Sequence, residues 1–278
     1  MRWGSDCRSW SRLTKSCSTR PLIASLWRSR LHGLSATKHS LHSDQCGKFA
    51  ELMQGGRLLN GGTLNRIVLY VTALMEVKSS MGVIVAAPTA GACAALPGAV
   101  IAMAEEMKLS EEDMAKALLA SGLIGVFIAT RWTFAAEVGG CQAEGGSAAA
   151  MAAAALVTLA NGTLAQAVAA ASMAFQNMLG LICDPVANRV EVPCLGKNVL
   201  AASNALSCAN MALADYDPVI PFDEVIETAQ RVAGQMPREL RCTALGGLSI
   251  TKTSLAIEEK LAAKKTVQCG APNCGCAR

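Results

Sequence analysis

The chain has 278 residues, enough to bury a sizeable core as one large domain or two modest ones. Its hydrophobic content is 52% with only 4% aromatic residues, and Ala and Leu, which contribute much of it, have the highest helix propensities. We therefore expect an all-α protein that folds as a single compact helical domain. Twelve cysteines in a chain of this size, with no apolar secretion signal, argue against a small secreted disulfide scaffold and favour reduced thiols or metal ligands.

The formal charge of +4 is unevenly distributed. Residues 1–43 carry eight Lys or Arg against one acid, Asp6, which is a net charge of +7, so the rest of the chain carries −3. The basic excess therefore belongs to the N-terminal segment. It gives no argument that the folded body binds nucleic acid.

Residues 1–45 are rich in Ser, Arg, Leu and Trp and poor in acids, a composition typical of organellar transit peptides. A disordered or mis-started leader explains the same composition. Either way we exclude 1–45 from the fold, assign 46–251 to the helical domain and treat 252–278 as a charged, Cys-rich tail. We expect a cytoplasmic protein, or an organelle-matrix protein if the leader is a transit peptide.

A loop around Pro88 is predicted to be able to bind an anion. Pro88 disfavours a helical conformation at Ala87, and Thr89 can cap a new helix whose free N–H groups would point into the loop. Such a terminus suits a substrate carboxylate, and we assign Thr89, Ala90 and Gly91 to it. A capped loop between two buried helices explains the same residues without a ligand.

The next helix is predicted to begin at Ser110, because a Ser cap followed by three acids suits a helix N-terminus. We expect this helix to end at Ser121 and Gly122, with a second apolar piece over 124–130. Arg131 follows, and we interpret it as a cation near the functional site rather than a surface charge.

The uncharged run over 145–183 is long enough to raise the possibility of a transmembrane segment. However, it is rich in Ala, Gly and Ser, it is interrupted at Asn161 and Gly162, and it has no aromatic or basic flanks. We therefore favour a buried helical hairpin and expect no membrane association.

Cys141, Cys183 and Cys194 each lie in a break marked by Gly or Pro. Their spacing is too open for a zinc knuckle but suits three thiolates delivered to one iron-sulfur cluster from separate inter-helix loops. The hypothesis is a 4Fe-4S cluster with one iron left free for substrate. The alternative, three buried free cysteines, stays open on these residues alone.

Three acids flank these cysteines: Glu137, Glu144 and Asp184. β-Elimination from a hydroxy amino acid needs a base positioned near its working pKa. Each acid can equally be read as a hydrogen-bond partner of the ligands, so the sequence leaves the base unnamed.

Six segments occur in an order that resembles the α subunit, or α domain, of the iron-sulfur-dependent bacterial L-serine dehydratases. They are PTAGACAALPG, EVGGCQAEGGSAAAMAAAAL, GLICDPVANRVEVPC, KN at 197–198, VIPFDEVI and ALGGL, within 79–251. The resemblance implies an all-helical catalytic domain, L-serine as substrate, and Cys141, Cys183 and Cys194 as the three ligands of a 4Fe-4S cluster. It also implies β-elimination to pyruvate and ammonia without pyridoxal phosphate, a lyase activity of amino-acid catabolism and gluconeogenesis.

The chain departs from the family pattern in three places. No counterpart of the family's β subunit is present, so we expect a separate β partner or a homo-oligomer, and an inactive helical partner or scaffold protein is the alternative function. The N-terminal segment of the family's α domain is matched only weakly, around Gly61 and Gly62. The tail thiols Cys269, Cys274 and Cys276 lie close to the end, where some members have a cysteine, but Arg278 is last; we interpret these thiols as regulators or adventitious metal ligands.

Overall fold

The computed structural model describes residues 45–80, 84–189 and 191–269, and this part of the chain is helical without a β-strand. Its α-helices are α1 Gln45–Gln54, α2 Thr63–Ser79, α3 Ala95–Glu106, α4 Glu111–Arg131, α5 Ala136–Gly139, α6 Ser147–Leu159, α7 Leu164–Gln176, α8 Cys194–Leu213, α9 Phe222–Gln235 and α10 Lys252–Cys269. A π-helix spans Gln142–Gly146, and 3-10 turns span Arg238–Leu240 and Gly247–Ile250. The all-α prediction is confirmed.

Helix α6 is the centre of the fold and contacts α3, α4, α7 and α8. All but one of its residues are buried, and seven of its thirteen residues are Ala, whose small side chain lets neighbouring helices approach closely. The chain turns at Asn161 and Gly162, and Thr163 starts α7 with a capping box to Gln166. The uncharged run thus forms the helical hairpin predicted from its composition, with α6 buried along its length and α7 buried only in its second half.

Helix α4 begins as predicted, with a capping box between Ser110 and Asp113. The expected break at Gly122 is wrong, because α4 continues to Arg131 as one helix of 21 residues. A single Gly costs a helix interior only about 1 kcal/mol, and burial of Ile124 and Ile128 against the core offsets that cost. Within the described residues, α4 is long and apolar enough to cross a membrane, a test that core helices also pass.

Segments after α8 bring the C-terminal part of the domain to the cysteines. The amide of Cys183 donates to Leu240 O, and the amide of Cys242 donates back to Cys183 O, both at 2.9 Å. Helix α10 starts at Lys252, at the beginning of the segment predicted as a tail. The predicted leader lies outside the described residues except for its last residue, Gln45, where α1 begins; Cys274 and Cys276 also lie outside them.

Candidate active site

The structure brings Cys141, Cys183 and Cys194 together from three separate segments. Cys141 lies between α5 and the π-helix, Cys183 in the loop after α7, and Cys194 at the first turn of α8. The Cys141 side chain packs in one cluster with Cys183 and lies close enough to the thiols of Cys183 and Cys194 to interact with both. All three are 4% exposed or less, so the cysteines predicted as one ligand set form one buried cluster.

The position of Cys141 depends on Gly140. Its φ of 69° lies in the left-handed region, and a Cβ at this position would lie 2.9 Å from the carbonyl oxygen of Leu181. The neighbouring amide of Gln142 donates to the same carbonyl at 2.9 Å. Glycine therefore allows the loop before Cys183 to pack directly on the segment that carries Cys141.

Lys197 is the cation of this site. From the first turn of α8 its ammonium donates to Ile182 O at 2.6 Å and to Asp184 Oδ1 at 2.7 Å, and it lies 3.7 Å from Cys141 Sγ. Hydrogen bonds from the other two thiols, together with this positive charge, lower the pKa of Cys141 well below its usual range. These interactions favour the thiolate form of Cys141, which is the metal-binding form.

Asp184 is a structural partner of the lysine. Its Oδ1 accepts from Lys197, and its Oδ2 accepts from the amide of Leu248 at 3.0 Å. Because the carboxylate is buried and both oxygens are engaged, Asp184 ties the cysteine loop to α8 and to the second 3-10 turn.

Glu144 lies against the loop that we expect to bind an anion. Its Oε1 accepts from the Thr89 hydroxyl at 2.7 Å, and a Cβ added at Gly91 would lie 2.5 Å from the same oxygen. Burial raises the pKa of Glu144, and the Thr89 hydrogen bond opposes that rise. The loop therefore faces a carboxylate of the chain itself, while Ala90 is exposed beside it.

The helix after this loop starts later than predicted. Thr89 caps only a turn, by accepting from the amide of Ala92 at 3.1 Å, and α3 begins at Ala95. The N-terminus of α3 is capped by a distant residue, Asn198, because its Oδ1 accepts from the amides of Ala94 and Ala95. Its Nδ2 donates to Gly91 O and to Cys194 O. One α8 side chain thus joins the loop, α3 and a cysteine.

The other predicted residues lie further from the centre. Glu137, in α5, is exposed. The interpretation of Arg131 as a cation near the site is wrong, because its guanidinium pairs with Asp223 at 3.2 Å and Glu227 at 3.6 Å and is 42% exposed. The paired acids lie on α9, so Arg131 joins two helices at the surface.

Sequence reasoning missed Lys197 and Cys242. The half-buried Cys242 is hydrogen-bonded to Cys183, which lowers the pKa of Cys242. The spacing between Cys194 and Lys197 could have indicated the lysine, because residues three apart lie on the same face of a helix. Cys242 carried no local signal, because it reaches Cys183 only through the backbone pairing of two distant segments.

The donor chemistry of the cluster suits iron and sulfur. In the described ranges, no three His, Cys, Asp or Glu side chains are arranged to hold a single metal ion. The cysteine cluster instead offers thiols from separate segments, and thiolates are the ligands of iron-sulfur centres. The donor chemistry of these three thiols is therefore compatible with a thiolate-bound cluster.

Comparisons with known proteins show the family of this chain. The family model "Serine dehydratase alpha chain" matches residues 17–249. The chain belongs to the serine dehydratase alpha chain family. This confirms the family resemblance found in the sequence, and the match also includes residues 17–44, which we excluded from the fold.

Curated members of the family show how the chain relates to whole enzymes. It is 42% identical over 214 residues to the probable L-serine dehydratase alpha chain of Bacillus subtilis, covering 77% of this chain and 71% of that protein. It is 41% identical over 232 residues to the L-serine dehydratase alpha chain of Peptoniphilus asaccharolyticus, covering 80% of each. L-serine dehydratase TdcG of Escherichia coli is 38% identical over 187 residues, which are 66% of this chain but only 41% of that protein.

Proposed function

We propose that this chain is the α subunit of a 4Fe-4S-dependent L-serine ammonia-lyase, which converts L-serine to pyruvate and ammonia. The observation that carries the proposal is the burial of Cys141, Cys183 and Cys194 in one cluster, in a member of the serine dehydratase family. Relatives of this chain are named alpha chains, which supports a separate β chain as partner. Assembly into a homo-oligomer is part of the same proposal. We assign the catalytic domain to residues 46–251. We place the protein in the cytoplasm.

The three cysteines would hold the cluster through their thiolates. When bound, a cluster with three protein ligands supplies an open iron that acts as a Lewis acid on the substrate. Lys197 stabilises the thiolate form of Cys141 by its charge, and Asp184 fixes the lysine in place. The buried setting excludes bulk water from these groups, which strengthens their electrostatic interactions.

We assign Glu144 as the base that takes the α-proton of serine. Asp184 is engaged at both oxygens and Glu137 is exposed, whereas Glu144 is held by one hydrogen bond from Thr89. A raised pKa makes a carboxylate a stronger base at its working pH. The proton moves from Cα to a Glu144 oxygen, and the β-hydroxyl departs with the electron pair of the C–O bond. It becomes water by taking up that proton from Glu144, which restores the carboxylate.

The product of this elimination is aminoacrylate, which tautomerises to an imine and is hydrolysed to pyruvate and ammonia. In this proposal Thr89, Ala90 and Gly91 border the substrate, and Thr89 orients the base. The single loop thus serves both proton transfer and substrate binding.

The test is anaerobic formation of pyruvate from L-serine by the reconstituted chain, alone and with a family β chain added. We expect turnover once the β chain is present, with pyruvate and ammonia formed in equal amounts. A complex that carries a full cluster and yields no pyruvate would instead support the alternative, an inactive helical scaffold protein.

A further inference from the structure

Lys78 is a buried cation that the proposed mechanism does not use. It lies in the last turn of α2 and is 8% exposed. Within the part of the chain that the structure describes, its buried Nζ has no hydrogen-bond partner. An ammonium taken out of water without a partner is costly, so a lysine in this state indicates a site for an anion.

The surroundings of Lys78 belong to the candidate active site. The ammonium is close enough to Cys93, Glu144 and Cys194 to act electrostatically on all three. These groups lie on three different segments: the turn before α3, the π-helix and the start of α8. Helix α2 packs against α3 and α8, and Lys78 lies within electrostatic range of the proposed base and of one proposed cluster ligand.

None of these neighbours forms a hydrogen-bonded pair with the ammonium. The Glu144 carboxylate accepts from Thr89 instead, and burial raises the pKa of the Cys93 thiol to about 11, which keeps it neutral near pH 7. The positive charge is thus left available to a bound molecule.

We infer that the Lys78 ammonium binds the carboxylate of the amino-acid substrate. The inference rests on the proposed function and adds a residue to its substrate site. A carboxylate offers two oxygens and about four lone pairs, so it can accept from an ammonium while keeping other contacts. The loop at Thr89 and Gly91 is less suited to this role, because the Glu144 carboxylate already lies against it and would repel a second one.

The competing explanation is that Lys78 only balances the negative charge of the Cys194 thiolate and its cluster. The two explanations differ in what the charge affects. Substrate binding predicts a change in KM with an unchanged cluster, whereas charge balance predicts weaker cluster retention with an unchanged KM.

The test uses the reconstituted complex of this chain with a β chain, carrying Lys78→Met, Lys78→Arg or the exposed control Lys48→Met. For Lys78→Met we expect the KM for L-serine to rise about 10- to 100-fold, the usual size of a lost hydrogen bond to a charged group. Visible cluster absorption should stay at the wild-type level. Lys78→Arg should recover part of the loss, and Lys48→Met should match wild type.

A binding measurement without turnover accompanies the kinetics. L-alanine lacks the leaving hydroxyl, and L-alaninamide lacks the carboxylate as well. L-alanine should raise the melting temperature of the wild-type complex more than L-alaninamide does, and Lys78→Met should abolish that difference.

Three results would overturn the inference. They are a KM in Lys78→Met within about twofold of wild type, a loss of cluster absorption with an unchanged KM, or equal stabilisation of the wild-type complex by the two ligands. If the wild-type complex makes no pyruvate, the proposed function fails, and the L-alanine comparison still decides whether Lys78 recognises a carboxylate.

Discussion

Lys197 and Asp184 form a buried ion pair, with 2.7 Å between Nζ and Oδ1 and with side chains only 15% and 6% exposed. The pair links α8 to the loop that carries Cys183. It holds the one ammonium that contacts a cysteine in the described part of the chain. The geometry of the cysteine cluster therefore depends on a pair that contains no cysteine.

Lys197→Met should destabilise the domain by about 3–5 kcal/mol, because it leaves the Asp184 carboxylate buried without its cation. The free energy of unfolding in urea measures this. Lys116→Met is the control, since its pair with Glu112 is solvent-exposed and should contribute less than about 1 kcal/mol. Equal effects of the two substitutions would show that the buried pair is not important for stability.

Glu144→Gln should lower kcat about 10²- to 10⁴-fold, the usual contribution of general-base catalysis. The amide keeps an acceptor for the Thr89 hydroxyl, so the loop should stay in place and KM should change little. Steady-state pyruvate formation measures both constants. Glu137→Gln, at the exposed acid of α5, should leave kcat near the wild-type value; a similar loss in both variants would remove Glu144 as the base.

Glu144 should also make stability depend on pH. Burial raises its folded-state pKa above the ordinary value of 4.5, so the folded protein binds more protons than the unfolded chain between these two pKa values. Stability from this group is therefore present below pH 4.5 and is lost as the pH rises through the folded-state pKa. Glu144→Gln should gain stability relative to wild type over that window, as measured by urea unfolding at several pH values. A difference that is constant with pH would contradict the raised pKa.

Gly140→Ala should disturb the cysteine cluster, whereas Gly122→Ala should not. Alanine at 140 would need a positive φ and would place its Cβ 2.9 Å from Leu181 O, a strain of about 1–3 kcal/mol. At Gly122, inside α4, a Cβ would meet nothing within 4 Å, and alanine should stabilise the helix by about 1 kcal/mol. Thermal unfolding of both variants measures these opposite signs. Stabilisation by both substitutions would contradict the requirement for glycine at 140.

The helical part of the fold could be predicted because local chemistry decides it. Ser110 caps α4 as expected, and the Ala-rich run forms a helical hairpin whose first helix is buried. The continuation of α4 through Gly122 could not be predicted, because tertiary burial of the following Ile residues outweighs the local preference of glycine. A Ser cap at a helix start depends on neighbouring residues and can be read from the sequence. The continuation of a helix through a glycine depends on tertiary packing and cannot.

The candidate active site could also be predicted only in part from the sequence. Cys141, Cys183 and Cys194 stood out because they lie in Gly- and Pro-marked breaks, and the structure brings them together. Nothing in the sequence around Lys78 indicated its buried, unpartnered ammonium. Cys242 joins the cluster only through long-range backbone pairing. Contacts made across distant segments leave no periodicity or spacing in the sequence.

The central claim, a cluster held by three cysteines, is tested most directly by the iron and sulfide bound per chain after anaerobic reconstitution of wild type, Cys183→Ser and Cys208→Ser. Cys208 is a buried cysteine of α8 that is hydrogen-bonded to Asn177 and lies outside the proposed ligand set. We expect four irons and four sulfides, with visible charge-transfer absorption, in wild type and Cys208→Ser, and loss of the irons, the sulfides and the absorption in Cys183→Ser. A full cluster in Cys183→Ser, or none in wild type, would contradict it.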